Sequence, residues 1–127
     1  MQPSQRVQTR TDQEQLLRRL SEYFNIERTV SHCEQGRSTA CIRTRHITLS
    51  DSSKLGRLAV CLHEFAHLLA EHRHRGIGHR HGAYFRGALL DTIAALNMAP
   101  QDYPWHAEYV SIYRWARLRF LLVTLRR

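Results

Sequence analysis

From Leu55 to about His72 the chain carries one continuous helical pattern, with Leu55, Leu58, Ala59, Leu62, Ala66 and Leu69 recurring on a single face. Set inside it is His63-Glu64-Phe65-Ala66-His67. This segment constrains the fold more than any other. Side chains at i and i+4 of a helix stand one turn apart on the same side, so both imidazoles can reach one ion. The residues around them, Leu62, Phe65, Ala66, Leu68 and Leu69, are apolar. Other elements must therefore cover this helix while leaving its histidines reachable. Glu64 neighbours the first histidine. It is placed to accept a proton from a metal-activated water without being a ligand itself, the role of a general base.

The rest of the chain predicts what covers the helix. Residues 1–10 are polar and predict a flexible end. Thr11-Asp12-Gln13-Glu14 reads as a capping box opening a helix over about 12–27, with Leu16, Leu17, Leu20 and Phe24 as its apolar face. Ser31 to Ser38 reads as a loop turning at Gly36, and Thr39 to Leu49 as a strand or hairpin rich in β-branched residues. Asp51, Ser52 and Ser53 offer N-caps for the central helix. Beyond it, Gly76, Gly78 and Gly82 predict a loop, and Tyr84 to Asn97 a helix bearing Phe85, Leu89, Ile93 and Leu96. Pro100 and Pro104 bracket a break before a last helix over about 103–125. The order α, β, α, α, α predicts a single α+β domain over 1–127, mainly helical with a small sheet.

Zinc needs a third protein ligand to complete such a site. His72, His74, His79 and His81 are the nearby choices. His72 and His74 lie too close if the helix runs through them. A metzincin spacing would need Gly at 70 and His at 73, where this chain has Ala70 and Arg73. His79 and His81 lie beyond the glycines, where the chain can return to the metal. His81 is preferred because it stands at the mouth of the next helix, where a ligand is held better than in mid-loop. Asp91 is a more distant acidic candidate. Tyr84, His79, Tyr103 and His106 are candidate donors to a developing oxyanion.

Charge and cysteine content bear on partners and compartment. The formal net charge is +8, and all but one of the 19 Lys and Arg residues are Arg, the exception being Lys54. Such a field favours an acidic partner, nucleic acid among them, and Arg114, Arg117, Arg119, Arg126 and Arg127 are the candidate patch. No apolar run reaches the length of a membrane span. The N-terminal residues have no apolar core of a secretory signal. With three cysteines, Cys33, Cys41 and Cys61, the expectation is free thiols in a cytoplasmic protein.

His46-Ile47-Thr48-Leu49-Ser50, then His63-Glu64-Phe65-Ala66-His67, then His81-Gly82-Ala83-Tyr84-Phe85-Arg86 followed by Leu89-Leu90, resembles the SprT-like zincin metalloproteases. It is more similar still to the small zinc metallohydrolases of actinobacteria and their phages. The resemblance spans residues 46–93. Ala83-Tyr84 stands where that motif commonly has a Pro-acidic pair, and no cysteine-based zinc ribbon follows. What it implies is a minimal zincin-like fold whose edge strand borders the active-site helix. It implies zinc held by His63, His67 and His81, with Glu64 catalytic. The expected function is a zinc-dependent metallohydrolase, a peptidase binding its peptide or protein substrate along an edge strand near residues 41–49. The competing expectations are a DNA-associated module with a structural zinc and a non-peptide metallohydrolase such as an amidase or nuclease.

Overall fold

The computed structural model describes residues 7–98, a mixed α+β arrangement of three helices and a three-stranded sheet. Helix α1 spans Arg10–Phe24. Its cap is Thr9, two residues ahead of the predicted Thr11. Thr9 Oγ1 accepts from the Asp12 N–H at 3.0 Å, and Asp12 Oδ2 accepts from the Thr9 N–H at 3.1 Å. Val7 packs on the core, so the predicted flexible end does not extend over residues 7–10. The helix stops at Asn25, whose left-handed φ of 56° turns the chain, earlier than the predicted 27. Its inward face is Gln13, Leu16, Leu17 and Leu20. The buried Gln13 amide is satisfied by Arg57, donating to its carbonyl and accepting from its guanidinium.

Strands β1 (Thr29–Cys33), β2 (Thr39–Cys41) and β3 (His46–Ser50) lie in the order β1-β3-β2. The predicted hairpin over 39–49 is β2 antiparallel to β3. The predicted loop from Ser31 instead begins inside β1, which pairs parallel with β3 from Thr29↔His46 to Cys33↔Ser50. Thr-Val-Ser-His-Cys shows little alternation of its own, and its backbone groups find partners only because β3 lies alongside. The middle strand is therefore β3, bonded on both sides. The expectation of a free edge over 41–49 is corrected: among the described strands the edge on that side is the three-residue β2. Ile47 and Leu49 point inward with no exposure, and His46 points outward, bonded to the Thr29 and Ser31 hydroxyls.

The cysteines have free thiols. Cys33 pairs with Ser50 at one end of β3 and Cys41 with His46 at the other. Strand geometry separates them by roughly 16 Å, far beyond a disulfide's reach.

Helix α2 spans Gly56–Arg73, and α3 spans Ala83–Ala95. The predicted caps do not close α2. Its N-cap is Leu55, without a side-chain bond, while Asp51 is drawn into a pair of ion bridges with Arg10 and Arg57. From Leu58 to Ala70 only His63 escapes full burial. That burial follows from packing α1, the sheet and α3 around it. The predicted last helix, with Tyr103, His106 and the Arg114–Arg127 patch, lies outside the described residues. Among the described residues no helix is long and apolar enough to cross a membrane.

Candidate metal centre

The second and third turns of α2 aim His63 and His67 toward the start of α3. Their Nε2 atoms are 3.3 Å apart. After α2 the chain folds back through residues 74–82 and delivers His81, whose Nε2 is also 3.3 Å from that of His63. The three ligand atoms lie within 4.8 Å of one another and could hold a metal ion. The two 3.3 Å separations fit a bound zinc. Nitrogens about 2.0–2.1 Å from a tetrahedral zinc stand about 3.3–3.4 Å apart.

The tautomer is set for ligation. The His67 Nδ1–H donates to the Gly78 carbonyl, which leaves the Nε2 lone pair facing the common point. Gly78 can do this because it has no side chain. A Cβ there would lie 2.5 Å from Glu71 Cβ, 2.7 Å from the His67 carbonyl oxygen and 2.9 Å from Ile42 Cδ1. The approach of this loop to α2 is therefore open to glycine alone. Glu71 anchors the same loop by accepting from the Gly76 N–H at 2.6 Å, and Gly76 itself needs a φ of 89°.

Phe85 forms the floor. Its ring centroid lies 5.0 Å from that of His63, 4.6 Å from His67 and 4.9 Å from His81. It is 1% exposed, so one aromatic ring wedges all three imidazoles against the core. Glu64 is 6% exposed, with Oε1 3.8 Å from His63 Nε2. Burial pushes its carboxyl up to about 7, and the charge of Arg37 partly opposes this. Burial pulls His63 down to about 3, helped by His67 and His81. His67 is lowered too, chiefly by burial, against the Gly78 hydrogen bond. Burial therefore favours the neutral forms of His63 and His67, the form in which an imidazole can bind a metal.

Of the alternatives, His72, His74 and His79 are exposed and stand outside the cluster. His74 stacks on Tyr84 at 3.9 Å. Asp91 does not join the cluster and is bonded at 2.6 Å to Arg73, tying α3 to α2. Two contributors escaped the sequence reading. Gly78 reads there only as a loop glycine, and no sequence signal links it to His67. Arg37 lies in the β1–β2 connection, and only the fold brings its charge to bear on Glu64.

The chain matches no protein-family profile, no curated protein and no solved structure.

Proposed function

We propose that the chain is a zinc-dependent hydrolase of minimal zincin-like fold, acting on peptide bonds. The observation that carries the reading is the meeting of three imidazole Nε2 atoms with a buried carboxyl beside them. His63, His67 and His81 would hold the ion. Bound there, zinc supplies a Lewis acid that polarises a carbonyl and acidifies water.

The chain's own residues supply the rest. Glu64 would hold or release a proton at a buried carboxyl set beside the three imidazoles. It lies one residue from a ligand, yet it is not one of the clustered donors. Gly78 and Phe85 fix the imidazoles before any substrate arrives, one by hydrogen bond and one by packing. A reducing, cytoplasmic setting suits the free thiols.

The test separates metal from catalysis. Metal analysis of the purified protein should give one zinc per chain, lost in His81→Ala. Glu64→Gln should retain the zinc and lose cleavage of a peptide library. Full turnover by that variant would refute the role given to Glu64. Cleavage of nucleic acid with peptides untouched would replace the peptidase by a nuclease.

A further inference from the structure

A second polar site lies away from the histidines. A cavity of about 760 Å³ opens between the last turns of α1, the start of β1 and the β2–β3 turn. Its walls carry Arg18, Arg28, Arg43 and Arg45, and none of the three clustered histidines lines it. Arg18 and Ser21 come from one face of α1, Arg28 from the chain leading into β1, and Arg43 and Arg45 from the hairpin turn. Three separate stretches of chain thus bring arginines to one concavity.

Among the described residues no ion pair joins any of the four arginines to an acid. Glu22 and Glu27 also reach the wall, which leaves the lining with an excess of two positive charges. Arg28 Nε is buried without a hydrogen-bond partner, as is Ser21 Oγ on the same wall. A buried donor left unbonded is costly. Burial and the Arg18 charge lower the Arg28 pKa from the usual arginine value, against an opposing pull from Glu14. Arg45 is placed by a left-handed φ of 56°, a conformation that glycine would adopt without strain.

We propose that this cavity is a binding site for a phosphate group, gripped by Arg28 at its base and by Arg18, Arg43 and Arg45 around its rim. Planar guanidinium forks match phosphate oxygens better than any other side chain. The group can arrive on a small phosphate ester or on a nucleic-acid strand. The proposal stands independently of the hydrolase reading, since it uses none of the residues assigned there.

The experiment is calorimetric titration of the full chain with inorganic phosphate at low ionic strength. Phosphate can also bind a metal, so His81→Ala is titrated beside the wild type. Saturable binding is expected in both, weakened at least about tenfold in Arg28→Gln/Arg45→Gln, the loss of two charge-assisted contacts. Absence of saturable binding, equal affinity in the arginine variant, or loss in His81→Ala would each overturn the site. Circular dichroism checks folding. If Arg28→Gln does not fold, Arg43→Gln/Arg45→Gln on the exposed turn carries the same comparison, and unchanged affinity there overturns the proposal. Anisotropy with a short DNA duplex distinguishes the sources. Binding far tighter than phosphate, steeply salt-dependent and lost in the arginine variants, assigns the group to a nucleic-acid backbone. DNA binding no tighter than phosphate assigns it to a small ester.

Discussion

Replacing Gly78 with alanine probes the metal centre without touching a ligand. The added Cβ would sit 2.5 Å from Glu71 Cβ and 2.7 Å from the His67 carbonyl oxygen. Both neighbours belong to the buried stretch or last turns of α2 and cannot swing aside as a side-chain tip could. Carbon contacts relax at about 3.5–4.0 Å, so the loop must retreat by about 1 Å. That displacement takes the Gly78 carbonyl out of hydrogen-bond range of His67 Nδ1. Overpacking of this kind costs about 1–3 kcal/mol, and the unbonded imidazole N–H adds a further penalty of about 1–3 kcal/mol. One movement causes both, so a net loss of about 2–4 kcal/mol is expected. Zinc affinity should fall about 10–100-fold, the usual effect of losing a ligand's hydrogen-bond partner.

Urea unfolding and competition against a chromophoric zinc chelator measure the two quantities. Gly87→Ala is the control, since a Cβ there meets nothing within 4 Å and the position is helical. It should leave zinc affinity unchanged and raise stability by up to about 1 kcal/mol. Wild-type stability and affinity in Gly78→Ala would show that the loop does not orient His67.

Phe85→Ala should destabilise the fold by about 3–5 kcal/mol and weaken zinc binding as well, because the same ring packs against all three clustered histidines; Phe85→Leu should recover most of the stability. Urea unfolding with zinc titration checks both. In the metal-free protein, the Glu64 carboxyl at about 7 lies above the unfolded value of 4.5, so the folded state holds the extra proton. Its cost therefore appears as pH rises through 4.5 to 7 and reaches about 3 kcal/mol above that window. Glu64→Gln should thus gain stability relative to wild type at pH 8 but not at pH 4, and a gap independent of pH would refute this. Asp51 is shifted the other way, to about 2, first by its hydrogen bond from Arg10 and then by Arg57. Its contribution is complete above pH 3.8 and lost as pH falls toward 2, so Asp51→Asn should flatten the acid limb of a stability profile over that range.

Several parts of this arrangement were legible one segment at a time. The central helix, its apolar face and the shared side of His63 and His67 follow from local periodicity. So does the start of α3 near His81. The misreadings have a common origin. Thr9 outcompeted Thr11 as cap because Asp12 lies three residues beyond it and can bond back. Asp51 was lost as a helix cap to Arg10, a partner 41 residues away. β1 became a strand by pairing with β3, and that pairing moved the sheet's edge from β3 to β2.

The sequence by itself put two histidines on one side of a helix with a carboxyl beside them, because a helix converts residue spacing into direction with no outside help. Only the tertiary structure decided between His79 and His81, assigned Gly78 its hydrogen bond, set Phe85 beneath the ring cluster and gathered four arginines at one cavity. Each of those depends on where a loop or turn returns in space. That path is set by packing and by partners distant in the chain, about which neighbouring residues carry no information.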